Sequence, residues 1–151
     1  KALGCGVPVG AFLMTEKVGQ HSLTAGDHGT TYGGNPLACA AVAKVLDLFE
    51  ENNILEHVRE VSAYLEEKLD SLAAKYDFIT DRRGMGLMQG LVFDRPVAPV
   101  INAALENGLI LINAGINIIR FVPPLVITDA DVDEMIEILD SCLKTFQEQN
   151  A

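Results

Sequence analysis

Apolar residues return at spacings of three and four in three separate stretches of this chain, and each stretch predicts an amphipathic helix. Leu37, Ala38, Ala41, Val42, Val45 and Leu46 predict a helix from Pro36 to about Glu51. Asn35 is its N-cap, Pro36 suits its first turn, and Asn52-Asn53 breaks the pattern. Ile54, Val58, Val61, Leu65, Leu69 and Leu72 form a longer stripe, with Glu60, Glu66, Glu67 and Asp70 on the solvated face between them. Val132, Met135, Ile136, Leu139, Leu143 and Phe146 form the third. Thr128 with Asp131 opens that helix as a capping box in which Asp replaces the usual Glu or Gln.

Between the stripes the period shortens. Val7 to Met14, following the turn at Gly4 and Gly6, reads as a short buried strand, and Glu16 to Asp27 as a connecting segment. Phe78 to Thr80 and Gly86 to Phe93 read as strands separated by an Arg82-Arg83-Gly84 turn. Pro96 starts a short helix through Val100, Ile101, Ala104 and Leu105, which Asn107-Gly108 ends. Leu109 to Asn113 and Asn117 to Val122 flank Ala114-Gly115 as a hairpin, and Pro123-Pro124 stops its second strand. From Asn53 onward the order is helix, strand, strand, helix, strand, strand, helix. That order predicts a small α+β domain over residues 53–151, with helices on one face of a small sheet. Residues 1–52 hold too little to close a core, so they are expected to be the edge of a larger sheet, making the chain α/β overall.

Composition narrows the function. The 151 residues are 49% hydrophobic, ample for a core, and the net charge of −10 argues against nucleic acid or an anionic membrane as partner. Cys5, Cys39 and Cys142 are odd in number and lack ligand spacing, which predicts reduced thiols and a cytoplasmic location. No apolar run approaches the roughly 20 residues that span a bilayer. His21, His28 and His57 share no helical face, so no metal site is expected. The first residue is Lys1, and the following Ala2 to Gly10 is apolar and glycine-punctuated, as expected of a chain cut from something longer.

Two places carry candidate chemistry. In His28-Gly29-Thr30-Thr31-Tyr32-Gly33-Gly34-Asn35-Pro36-Leu37-Ala38-Cys39, paired glycines let the backbone approach a ligand while Thr30 and Thr31 offer hydroxyls suited to phosphate oxygens. An ordinary Gly-Gly turn before a helix would look the same. Arg120 lies in Asn117-Ile118-Ile119-Arg120-Phe121-Val122-Pro123-Pro124-Leu125, and a guanidinium among such apolar neighbours calls for a carboxylate. Spacing alone leaves open whether that carboxylate is a structural salt-bridge partner or a substrate.

These pieces together resemble the class III pyridoxal-phosphate aminotransferases. Lys1-Ala2-Leu3-Gly4-Cys5-Gly6-Val7-Pro8-Val9-Gly10-Ala11 is similar to the segment that begins at the family's Schiff-base lysine, with Cys5 where a glycine is usual. The segments Gly26 to Pro36 and Ile119 to Leu125 are similar to two further hallmarks, most closely in the acetylornithine branch of the family. The resemblance implies that Lys1 bonds covalently to pyridoxal 5'-phosphate and then moves a proton between the substrate's α-carbon and the cofactor. It implies that Thr31, with Thr30 beside it, hydrogen-bonds the phosphate of the cofactor held by the neighbouring subunit of a homodimer. Arg120 would grip the substrate's α-carboxylate, the substrates being amino acids and 2-oxo acids. On the same resemblance, residues 1–52 end a type I aminotransferase large domain and residues 53–151 are its complete small domain. Members carry a glycine-rich phosphate loop, a ring-stacking aromatic and a ring-pairing acid upstream of the lysine, so the chain alone is expected to be inactive.

Overall fold

In the computed structural model, which describes residues 2–149, the chain runs through α1 (Glu16–Ser22), α2 (Pro36–Glu51), α3 (Ile54–Lys75), β1 (Ile79–Met85), β2 (Met88–Phe93), α4 (Ala98–Glu106), β3 (Ile112–Asn113), β4 (Ile118–Phe121) and α5 (Asp129–Gln149). It divides into two compact units, one ending at Asn53 and the other beginning at Ile54.

In the first unit the helix expected from Pro36 is present with the expected bounds, but the strand expected over Val7 to Met14 is not. Residues 8–15 have no regular structure, and Leu13 is fully exposed. A strand needs a neighbour to take its backbone donors and acceptors, and among the described residues of this unit no strand offers them. The supposed connector holds α1, opened by Thr15, whose hydroxyl accepts from the Val18 amide at 3.4 Å. It then turns at Thr24, whose amide and hydroxyl both donate to Asp27, at 2.7 and 2.8 Å.

The second unit is an antiparallel sheet in the order β1-β2-β4-β3, with α3 packed on β1 and β2 and with α3 and α4 each packed on α5. Strand alternation decides which side is covered. Leu91 and Phe93 of β2 and Ile119 and Phe121 of β4 are buried together with Leu65, Leu69 and Leu72 of α3 and Leu139 and Leu143 of α5. The helices therefore lie on one face of the sheet. Thr128 and Asp131 form the expected capping box: the Asp131 carboxylate accepts from the Thr128 amide at 2.7 Å, and the Asp131 amide donates to the Thr128 hydroxyl at 3.3 Å.

Three element boundaries differ from those expected, each for a local reason. The β1–β2 turn is at Gly86-Leu87 rather than Arg82-Arg83-Gly84, because Gly86, at φ 57°, supplies the left-handed residue while Leu87 is buried. Arg82 and Arg83 consequently sit within β1 and point to opposite faces. Helix α4 starts at Ala98, with Pro99 in its first turn, because the Val97 amide is engaged by the Ile116 carbonyl at 3.0 Å. β3 begins late because the Leu109 amide still closes α4, donating to the Ala104 carbonyl at 2.8 Å.

Two polar networks tie helices to the rest. Gln89, almost fully buried, donates to Glu66 at 2.9 Å and to the Gly86 carbonyl at 2.7 Å, and accepts from Arg82 at 3.1 Å. Arg82 also clasps Asp70 of α3 through two nitrogens. Between α3 and α5, the Tyr76 hydroxyl donates to Asp140 at 2.8 Å, while Lys75 donates to both of its oxygens at 2.7 Å. Burial pushes the Asp140 carboxyl up, but the Lys75 and Tyr76 hydrogen bonds outweigh it and leave the group below the ordinary carboxylate range.

Leu69 has no exposed surface, so Leu69→Ala should lower stability by about 2–5 kcal/mol in urea titrations. A carboxyl held low in the folded state adds stability that is present above its unfolded pKa of about 3.9 and lost as pH falls through the folded value. Stability should therefore fall on acidification below about pH 5, and Asp140→Asn should be less stable at pH 7 with a shallower acid limb. An unchanged acid limb would remove Asp140 from that role.

Candidate active site

The threonine-glycine turn is built around the start of α2. Asn35 Oδ1 accepts from the Ala38 amide at 2.9 Å, which caps the helix, and Asn35 Nδ2 reaches back to the Tyr32 carbonyl at 2.8 Å, which closes the turn before it. The Gly33 amide donates to the Thr30 carbonyl at 3.4 Å. A Cβ at Gly33 would collide with the Thr30 methyl, and Gly34 lies at φ 68°, so both glycines are needed, one for space and one for conformation. Thr30 and Thr31 are exposed, and among the described residues neither hydroxyl has a partner. The turn thus offers two hydroxyls just ahead of the first turn of a 16-residue helix, whose amide dipoles favour negative charge. This donor set fits a phosphate group. Beside the turn, His28 meets Phe12 edge-on at 5.4 Å between ring centres.

Arg120 occupies the outer face of the second unit's sheet. Its neighbours Ile119 and Phe121 are buried, so alternation turns Arg120 outward, and it is exposed. The salt bridge that was one reading of this residue does not form among the described residues. Every other arginine holds an acid: Arg59 takes Glu56 at 2.7 Å, Arg82 takes Asp70, Arg83 takes Asp81 at 3.0 Å and Arg95 takes Asp94 at 2.6 Å. In a chain with 21 acidic residues, Arg120 holds none among the described residues. It also borders a cavity of about 360 Å³ whose walls, among them Leu111, Phe121, Pro124, Val132 and Met135, are largely apolar. An exposed guanidinium with a free fork suits a carboxylate.

Thr30 and Thr31 are neighbours in the first unit, and Arg120 belongs to the second. Lys1 lies outside the described residues. Among the described residues no three His, Cys, Asp or Glu side chains gather as a metal site, and no helix is long and apolar enough to cross a membrane. His57, the histidine of the second unit, instead contacts the Ile127 carbonyl through Nε2 at 2.8 Å. One position escaped sequence reading: Gly90, within the strand expected over Gly86 to Phe93, is directly opposite Arg120 across β2 and β4. A glycine inside a strand was the available signal.

A fold like this one, with its small helix-backed antiparallel sheet, is found in solved aminotransferases. The family model described as Aminotransferase class-III matches residues 1–143, and the chain belongs to that family. Among its curated relatives, the acetylornithine aminotransferase of Clostridium acetobutylicum is 45% identical over 145 residues, covering 95% of this chain and 37% of the relative. The mitochondrial acetylornithine aminotransferase of Saccharomyces cerevisiae is 43% identical over 145 residues, covering 95% of this chain and 34% of the relative. Among solved structures, acetylornithine aminotransferase from Elizabethkingia anophelis matches with a TM-score of 0.73 at 32% identity, over 80% of this chain and 31% of that one. Lysine aminotransferase from M. tuberculosis matches with a TM-score of 0.74 at 28% identity, over 78% of this chain and 28% of that one. The chain spans little more than a third of the curated relatives' length.

Asn35 fastens the turn to the helix from both sides. Asn35→Ala should weaken the first turn of α2 by about 1 kcal/mol, seen as roughly fivefold faster hydrogen exchange at the Ala38 amide. Unchanged exchange would mean that the cap does not hold the turn.

Proposed function

We propose that this chain is the C-terminal part of a pyridoxal-phosphate-dependent aminotransferase that moves an amino group between N-acetylornithine and 2-oxoglutarate, a step of arginine biosynthesis. The observation that carries the proposal is Arg120, alone among the arginines in lacking an acid among the described residues. Amino donor and 2-oxo acceptor differ along their chains but share an α-carboxylate, so one outward guanidinium serves both half-reactions. Its planar fork meets that carboxylate through two parallel hydrogen bonds and so fixes the orientation of the α-carbon as well as its position.

The other roles follow from the family. Pyridoxal phosphate, when bound, supplies an electron sink for the bond broken at the α-carbon. Lys1 is the covalent anchor and the base that takes the α-proton and returns it. Thr31, supported by Thr30, donates its hydroxyl to the cofactor phosphate of the neighbouring subunit in a homodimer. Residues 1–52 are the end of the cofactor-binding large domain and residues 53–151 the small domain of a type I aminotransferase; the division of the chain after Asn53 supports a boundary there. The 151 residues alone do not transaminate, since the groups that would hold the cofactor ring belong to the larger part of the enzyme. A related enzyme acting on another ω-amino compound, such as ornithine, succinylornithine or 4-aminobutyrate, is the second reading. The likeness to a lysine aminotransferase favours it.

The test joins the chain to its upstream part and adds pyridoxal phosphate. A new absorbance band near the edge of the visible should appear and be lost in Lys1→Ala, and N-acetylornithine with 2-oxoglutarate should yield glutamate. Arg120→Gln should raise KM for both substrates about 100-fold, the worth of a charge-assisted pair of roughly 3 kcal/mol, while the band persists. No band would favour a non-catalytic α+β interaction module instead, and turnover with ornithine but not N-acetylornithine would establish the second reading.

A further inference from the structure

The turn ahead of α2 contains a glycine that its own backbone conformation does not require. Gly34 lies at φ 68°, where a side chain would be strained, but Gly33 is not among the residues with positive φ. What position 33 demands is space, and one side chain takes it. A Cβ on residue 33 would fall on the methyl carbon of Thr30, with Thr30 Cβ behind it at 3.6 Å and the Thr30 carbonyl oxygen at 3.7 Å; the Thr30 hydroxyl oxygen lies farther off than these. Thr30 therefore aims its methyl at Gly33 and turns its hydroxyl away.

The backbone around this contact is tied, and the threonine side chain is not. The Gly33 amide donates to the Thr30 carbonyl at 3.4 Å, and the Tyr32 carbonyl accepts from the Asn35 amide at 3.3 Å and from Asn35 Nδ2 at 2.8 Å. The exposed Thr30 hydroxyl has no partner among the described residues. A methyl group added at position 33 is therefore accommodated most cheaply by rotation of Thr30 about χ1. Threonine has three staggered states about 120° apart, which turn methyl, hydroxyl or hydrogen toward residue 33. An oxygen there would crowd the new methyl almost as closely as a carbon does. Only the state with hydrogen toward it remains, and that state swings the hydroxyl through about 120°.

We infer that Gly33 is a positioning residue acting through Thr30: by receiving the threonine methyl, it sets the direction in which Thr30 presents its hydroxyl to the cofactor phosphate. The inference rests on the assignment of Thr30 and Thr31 to that phosphate, and it adds what orients one of the two donors. A hydrogen bond to a charged oxygen weakens steeply once distance and angle leave their narrow range, so a hydroxyl turned by about 120° no longer serves the same acceptor. The methyl of Thr30 gains a role as well. Serine would offer the same hydroxyl without the group that Gly33 holds.

The experiment uses the full-length enzyme of which this chain is proposed to be part, stripped of cofactor and titrated with pyridoxal phosphate and, separately, with pyridoxal, which lacks the phosphate. Gly33→Ala is compared in the parent and in the Thr30→Ser background, and Tm is recorded for each protein. In the parent it should weaken pyridoxal phosphate binding about tenfold, with pyridoxal binding and Tm little changed. In the Thr30→Ser background, where there is no methyl to displace, the penalty should fall below twofold. Equal penalties in the two backgrounds, an equal loss of pyridoxal affinity, or no penalty at all overturns the inference. Thr30→Val tells that failure from failure of the phosphate assignment. Weaker pyridoxal phosphate binding in Thr30→Val with none in Gly33→Ala leaves Thr30 its role, whereas unchanged binding in Thr30→Val defeats that role and the inference with it. If Gly33→Ala lowers Tm, the Thr30→Ser background decides: Tm and pyridoxal phosphate affinity recovered together uphold the methyl contact, and a Tm that stays low overturns it.

Discussion

The burial of alternate residues on β2 and β4 against α3 and α5 is the constraint on which the second unit depends. Leu91, Ile119, Leu69, Leu139 and Leu143 have essentially no exposed surface, and strand geometry allows no half measures in such a contact. A slip of one residue would send Arg120 into the hydrocarbon core and Ile119 into water. Burying a guanidinium without an acid costs far more than one apolar side chain regains, so the core holds Arg120 outward as firmly as it holds Ile119 inward. The placement of the candidate carboxylate grip is a by-product of core packing, which fixes the strand position from which the exposed side chain extends.

Electrostatics complete what register begins. In a chain of net charge −10, a cation on the surface ordinarily finds an acid close by, as Arg59, Arg83 and Arg95 do within a few residues of sequence. Arg120 has hydrophobic neighbours on both sides along its strand, glycine on one flanking strand and isoleucine on the other. The residues paired with it across the sheet therefore carry no acid, and among the described residues its fork forms no ion pair. An exposed salt bridge contributes roughly 0–1 kcal/mol, so leaving Arg120 unpaired costs the fold little while keeping the charge available to a ligand.

What could be read from the sequence divides along the range of the forces involved. The three long stripes became α2, α3 and α5 because a period sustained over sixteen or more residues is hard to satisfy in any other way. Capping by Asn35 and by the Thr128–Asp131 pair was legible because both are bonds between residues three apart. The errors arose where a distant partner decides. Val7 to Met14 has the composition of a strand, yet pairing depends on neighbours that local sequence does not contain. Arg82-Arg83-Gly84 resembles a turn until Asp70 of α3, outside the hairpin, and Gln89, across it on β2, are seen to clasp Arg82. The site divides in the same manner: the motifs around Thr31 and Arg120 were visible, whereas the pairing of Gly90 with Arg120 is a cross-strand fact that no spacing along the chain encodes.

The two candidate patches also differ in how much they need from elsewhere. Arg120 is fixed by a sheet and a core that the second unit contains in full, so its orientation can be understood from residues 54–149 alone. Thr30 and Thr31 are set by a local turn and one helix cap, and Ala38 is the one buried residue of α2, so that helix has almost no apolar face covered within its own unit. A helix of this kind gains most of its stability from tertiary packing. The carboxylate end of the proposed chemistry is thus self-supporting, while the phosphate end awaits the surface against which α2 packs. Physical completeness of a unit and completeness of a site are separate properties, and here the division between them follows the boundary after Asn53.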